Sequence, residues 1–140
     1  MTTYFFSGTA KWASKRLDPK FEKYSIDLYM DEPSLKLFHE SGIRVSAKTD
    51  NDGKVYYKLS RKDELEKKNG EVIKLGPPTF LNADGTEYTG LVGNGSKVTV
   101  KVTTYDTLAG KGHRYEAARI DELVEYNPQT VIAPAVGLPF

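Results

Sequence analysis

The chain has 140 residues, 39% hydrophobic and 28% charged, with 20 lysines and arginines against 19 aspartates and glutamates, which suits one soluble folded core and not two comfortable domains. With no cysteine, disulfides, thiolate nucleophiles and Cys-ligated metal centres are excluded. No apolar run reaches the roughly 20 residues of a membrane-spanning helix, and the formal net charge of +1 leaves open where any charged face lies.

The opening "MTTYFFSG" lacks a basic stretch followed by a long apolar segment, so no secretory signal and an intracellular location are expected. "YFFSGTAKWAS" is β-like, and Gly8 within it marks a bulge or a close approach of backbone. Tyr4, Phe6, Ala10 and Trp12 share one parity of the alternation, a pattern that also suits Trp12 to the core. In "YSIDLYM", Tyr24, Ile26, Leu28 and Met30 alternate with Ser25, Asp27 and Tyr29, the period of a strand with one buried face. "DEPSLKLFHESG" predicts a helix: acids precede it, Pro33 fits the first turn, Leu35, Leu37 and Phe38 form an apolar stripe, and Gly42 ends it.

"DNDGK" (Asp50 to Lys54) and "NADGT" (Asn82 to Thr86) carry Asp-Gly, which tolerates the positive φ of hairpin turns. The first lacks the later ligands and closing glutamate of a calcium loop, so no metal is assigned to it. Between them, "KVYYKLS" sets Val55, Tyr57 and Leu59 against Tyr56, Lys58 and Ser60. The mixed-charge run Ser60 to Gly76 reads as a solvated loop or short exposed helix, stopped by Pro77-Pro78. "SKVTVKVTTY" sets Val98, Val100 and Val102 against Lys97, Thr99, Lys101 and Thr103. "HRYEAARIDELVEY" starts as a strand, but its apolar spacing also suits a helix. The last fourteen residues, with three prolines and no charge, are expected to lie extended outside the core. This divides the chain into a domain over 1–127 and an apolar tail over 128–140.

Three chemistries compete for this surface. "GLVGNGSKVTVKV" offers glycines before Ser96 and Lys97, yet a phosphate loop needs lysine directly after glycine and then a helix, and here a strand follows. Catalysis lacks a Ser-His-Asp or Cys-His set; His39 and His113 are isolated, and Asp121, Glu122 and Glu125 read as an exposed face. Neither cofactor nor metal is implied. Single-stranded nucleic acid needs cations along a groove and aromatic rings for bases. The sequence interleaves these types four times: Lys11 with Trp12, Lys54 with Tyr56 and Lys58, Lys97 and Lys101 with Tyr105, and Arg114 with Tyr115 and Arg119. From Met1 to Lys20 four basic residues face only Asp18, and from Ser96 to Arg119 five face Asp106 and Glu116, so a near-neutral sum can hide a basic face.

From about Gly8 to Asn127 the chain resembles the single-stranded-DNA-binding proteins of tailed phages, small oligonucleotide-binding (OB) fold proteins. The resemblance rests on "GTAKWASK", "FEKYSIDLYMDEPSLKLFHESGI", "LGPPTFLNADG", "GLVGNGSKVTVKVTTYD" and "ARIDELVEYNP" in that order. It implies a mostly β protein, a five-stranded Greek-key barrel with a short helix inserted between strands. It also implies sequence-independent binding of single-stranded DNA, without catalysis, in the infected host's cytoplasm during replication, recombination or repair. By position it carries binding onto Lys11, Trp12, Tyr56, Lys58, Lys97 and Lys101; Tyr105, Arg114 and Arg119 are added from the charge pattern. Proteins of this class commonly end in an acidic tail closed by an aromatic residue. Leu138-Pro139-Phe140 resembles the ending but lacks the acids, and it is a candidate contact for replication or recombination proteins. A homodimer stays open as an assembly state, no membrane role is expected, and an OB-like interaction or virion component is the competing expectation.

Overall fold

The computed structural model describes residues 1–108 and 110–125. The proposed tail, with Leu138, Pro139 and Phe140, lies outside the described residues. Strand β1 (Thr2–Lys11) pairs antiparallel with β2 (Lys23–Met30) on one side and with the long strand β8 (Ser96–Thr107) on the other. Helix α1 (Glu32–Ser41) follows β2, and then come β3 (Lys48–Thr49), β4 (Val55–Lys62), β5 (Glu64–Glu66), β6 (Val72–Lys74) and β7 (Thr79–Leu81). Strand β9 (Gly110–Glu122) returns against β8. The main sheet has the order β3-β4-β2-β1-β8-β9-β7, parallel only at β7 and β9, and β5 with β6 forms a separate hairpin.

The expectation of two strands, a short helix and then more strands holds, as does a mostly β class. The expected five strands are too few: the described residues form nine, and the main sheet is open. The short strands β3 and β7 extend its two edges. Strands β4 and β9 meet across a seam joined by side chains instead of a ladder: His113 Nε2 accepts the Ser60 N–H at 3.2 Å, and Arg61 donates to the Tyr115 carbonyl.

The alternations read from the sequence fill the interior. Phe6 and Ala10 of β1, Ile26 and Leu28 of β2, Leu59 of β4, and Val98, Val100 and Val102 of β8 are fully buried. Helix α1 packs on this layer through Phe38, whose ring lies between Phe6, at 5.6 Å, and Tyr57, at 4.4 Å. Its ends follow from local chemistry. Asp31 caps the first turn by accepting the Ser34 N–H, Pro33 occupies a position needing no donor, and Gly42 takes the left-handed conformation, φ 78°. The Ser34 hydroxyl in turn accepts the Ser7 N–H at 2.7 Å, which ties the helix to β1.

Two readings resolve in favour of strands. The stretch from His113 is β9, not a helix, through Glu122. The mixed-charge run holds a hairpin rather than a loop or helix, because Asn69-Gly70 turns it, with Gly70 at φ 86° and the Asn69 side chain accepting the Glu71 N–H. The hairpin is anchored by buried Asp63, which accepts from the Tyr24 hydroxyl at 2.9 Å and from Lys74 Nζ at 2.7 Å. Among the described residues no helix is long and apolar enough to cross a membrane.

Two predictions follow from these contacts. A Cβ at Gly8 would meet the Tyr29 carbonyl oxygen and lie 2.9 Å from Met30 Cα, both backbone. Gly8→Ala should therefore cost about 1–3 kcal/mol or more in urea unfolding, and an unchanged midpoint would contradict the packing. Lys74, then Tyr24, hold the Asp63 carboxyl below its ordinary value. The folded state thus favours the ionised form, and the stabilisation, full above the unfolded pKa of about 4, is lost as pH falls through the folded value. Asp63→Ala should lower the urea midpoint at neutral pH and flatten the acid limb of the stability curve.

Candidate nucleic-acid interface

On the outer side of the sheet the residues between the buried ones line up across strands. The register places Thr9 of β1 opposite both Tyr29 of β2 and Lys97 of β8, forming one row. A second row runs Lys11, Asp27, Lys58 across β1, β2 and β4. A third pairs Phe5 with Lys101. With strands about 4.8 Å apart and residues about 3.4 Å along each, these rows form one contiguous face. Between Tyr29 and Lys97 it dips into a concavity of about 390 Å³ floored by Ser7, Gly8 and Thr9.

Aromatic and cationic groups touch on this face. The rings of Tyr29 and Tyr56 lie 5.2 Å apart and tilted by 38°, and Lys11 Nζ sits 5.1 Å from the Tyr29 ring centre. The Tyr29 hydroxyl donates to Asp50 at 2.8 Å. Desolvation, then this carboxylate, push its pKa up to about 12, so it remains a neutral phenol. Asp50 also accepts the N–H groups of Asp52 and Lys54. The "DNDGK" turn thus spends its carboxylate on its own backbone, and among the described residues no acidic or histidine cluster is built to hold a metal.

Carboxylates temper the charge. Asp27 is buried in the face with its Oδ1 3.3 Å from Lys58 Nζ, unaligned for a hydrogen bond. Arg119 reaches Asp121 at 2.7 Å, and Thr99 donates to the same carboxylate. Lys97 and Lys101 are exposed and make no ion pair among the described residues.

The structure gathers Lys11, Tyr56, Lys58, Lys97 and Lys101 onto this face, with Arg119 beside it on β9. Lys54 sits exposed in the turn before β4. Tyr115 is corrected: it is fully buried in the core. A register shift in the β8–β9 ladder pairs Lys101 with Ala117 but Val102 with Tyr115, leaving Glu116 as the extra residue. This bulge flips the alternation, so that Tyr115 turns inward and burial raises its pKa, while Arg114 turns outward.

Tyr105 and Arg114 lie farther along the β8–β9 hairpin. The Tyr105 ring covers Gly112, where a Cβ would be 2.6 Å from its Cζ, and the Arg114 guanidinium caps the ring at 5.6 Å. Trp12 is neither core nor part of the tyrosine cluster. It leaves the strand at φ 55°, its N–H donates to Asn94 Oδ1, and it is 68% exposed beside a cavity shared with Leu91, Val92, Val124, Lys15 and Arg16. Three face residues escaped the sequence reading of the site. Tyr29 and Asp27 stood on the polar parity of β2, and Phe5, 57% exposed, opposes the parity of Phe6.

The fold is that of single-stranded-DNA-binding proteins of phages. The chain superposes on the crystal structure of gp2.5, a single-stranded DNA binding protein encoded by bacteriophage T7, with a TM-score of 0.63, 18% identity, and coverage of 91% of this chain and 90% of that one. It superposes on the single-stranded DNA-binding protein from bacteriophage Enc34 in complex with ssDNA with a TM-score of 0.56, 12% identity and 88% coverage of each chain. A second structure of the single-stranded DNA-binding protein from bacteriophage Enc34 gives 0.56, 11%, and coverage of 93% and 87%. No protein-family model and no curated protein sequence matches the chain.

Trp12 provides a direct check on this surface. With Lys15 and Arg16 against the single acid Glu125 in the lining of the same cavity, iodide should quench its emission more strongly than caesium does at equal ionic strength. Weak quenching by both ions would place the indole inside the protein.

Proposed function

We propose that this chain binds single-stranded DNA without regard to sequence and without catalysis. It would coat transient single strands in phage DNA replication, recombination or repair within the infected bacterial cell. The observation that carries the proposal is the outer face itself, where the Tyr29–Tyr56 pair stands in the row beside Lys11, Asp27 and Lys58 and is linked through Thr9 to Lys97. The lysines neutralise phosphates while the tyrosines offer rings to bases. Support comes from the shared fold, one example of which was solved with ssDNA bound.

The same proposal reads the five long strands, in the order β4-β2-β1-β8-β9, as an elaborated OB barrel. The side-chain closure of β4 on β9 at Ser60 and His113 supports this. Recruitment of replication or recombination proteins through Leu138, Pro139 and Phe140 belongs to it as well.

The test is a salt-dependent titration of labelled oligo(dT) followed by anisotropy. Affinity should fall with salt by about 0.7 in log K per phosphate contacted, and Lys11→Ala and Lys97→Ala should each reduce that slope by about 0.7. Tyr56→Ala should cost about 1–3 kcal/mol per base it stacks, with little change in slope. Asp27→Asn removes the carboxylate between Lys11 and Lys58 and should tighten binding. Equal affinity for duplex, or no binding at low salt, would refute the proposal.

A further inference from the structure

The seam between β4 and β9 encloses a second concavity, of about 240 Å³, with a different electrostatic character from the outer face. Strand β2 contributes Lys23, β4 contributes Arg61 and Lys62, the segment after α1 contributes Arg44, and β9 contributes Lys111, His113 and Arg114. None of its lining residues is an aspartate or glutamate. Elsewhere the cations are commonly answered by acids, as in Lys15–Glu87, Lys58–Asp27 and Lys67–Glu71. At the seam Lys23, Lys62 and Lys111 make no ion pair among the described residues.

One arrangement there works against stability. Lys23 and Lys62 stand directly opposite each other in the β2–β4 ladder, and like charges in that position repel. His113 accepts the Ser60 N–H through Nε2, so it sits in the seam as a neutral imidazole. Burial, then the charge of Lys23, lower its pKa. The remaining polar contacts hold the basic groups in place. Arg61 is locked by the carbonyls of Leu75 and Gly76, and Arg114 is held by the Tyr105 ring and by Glu116 at 3.8 Å. Glu116 also reaches Arg61 and is the acid nearest the site. Positive charge thus converges on a small concave space, with its guanidinium groups fixed in advance.

We propose that this seam is a binding site for a compact phosphate dianion, held chiefly by Lys23, Lys62, Lys111 and Arg114. It is smaller than the concavity of the outer face, about 240 Å³ against about 390 Å³, a volume that suits one phosphate with the group that carries it. Two sources share this chemistry: the terminal phosphate of a nucleic-acid strand and a free phosphate ion. The site lies two rows beyond Asp27 and Lys58 on β2 and β4 and shares no lining residue with the concavity of the tyrosine-lysine face, and binding of inorganic phosphate can be measured whether or not that face binds DNA.

The experiment follows the imidazole resonances of His113 by NMR in the full chain, in phosphate-free buffer, with exposed His39 on α1 as internal control. Inorganic phosphate and thymidine 5′-monophosphate should shift His113 saturably and raise its titration midpoint, whereas thymidine and chloride should not. In the Lys23→Ala/Lys62→Ala double variant the affinity should fall by about tenfold or more, while the melting temperature rises as the repulsion is relieved. That opposite movement separates a binding role from a structural one. A 5′-phosphorylated oligo(dT) acting at lower concentration than inorganic phosphate assigns the site to strand ends, and equal potency assigns it to the free ion. The proposal is overturned if no phosphate probe moves His113, if the double variant responds like the parent, or if a 5′-hydroxyl oligo(dT) acts as well as the phosphorylated one.

Discussion

Within four residues the backbone of β1 makes three close attachments, and the outer tyrosine-lysine face depends on them. Ser7 exchanges hydrogen bonds with the start of α1, its N–H donating to Ser34 and its carbonyl accepting from Asp31. Gly8 lies against the backbone of β2 at Tyr29, too close for any side chain. The Ala10 carbonyl accepts the Gly95 N–H, fastening the loop before β8. Between these points the strand cannot slip, because a shift of one residue would exchange Phe6 and Ala10 for Ser7 and Lys11, or for Phe5 and Thr9, in the core. The same lock therefore sets the outer register that places Thr9 between Tyr29 and Lys97.

Alternation made the inner faces legible. In β2, β4 and β8 the apolar residues recur at every second position, and one face of each strand is buried while the other meets water. The helix was legible for a different reason, since Asp31, Pro33 and Gly42 each satisfy a local requirement at its ends. What escaped was non-local or depended on a single inserted residue. The bulge at Glu116 reverses the facing of Tyr115, and nothing in "HRYEAAR" announces it, because it exists only relative to β8. The pairing of β7 with β9 joins segments whose contact no periodicity reports. Trp12 shared the parity of Phe6 and Ala10, but the left-handed turn at its own backbone took it out of the pattern.

Net charge proved a poor guide to the surface. The formal total of +1 results from near-equal numbers of acids and bases, yet these are unevenly distributed. On the outer face Asp27 and Asp121 are set among the cations, moderating a potential that would otherwise repel itself. At the seam no acid lines the concavity, and Glu116, paired with Arg61 and Arg114, is the nearest counterweight. Lys97 and Lys101, four residues apart on one strand, are separated by about 13 Å, comparable to the Debye length of about 10 Å at 0.1 M salt. Neighbouring rows therefore act on a charged ligand together.

The two ends of the main sheet bear on how copies of this protein tolerate one another. Strand β3 has two residues and β7 three, whereas the strands between them run from eight to thirteen. Exposed edges recruit other chains by offering unpaired amides in a row, and edges this short offer almost none. On the function proposed above, copies crowded side by side along a strand meet at high local concentration for long periods. The stubs at the margins let them stand in contact without zipping their sheets into one another, so close packing remains reversible.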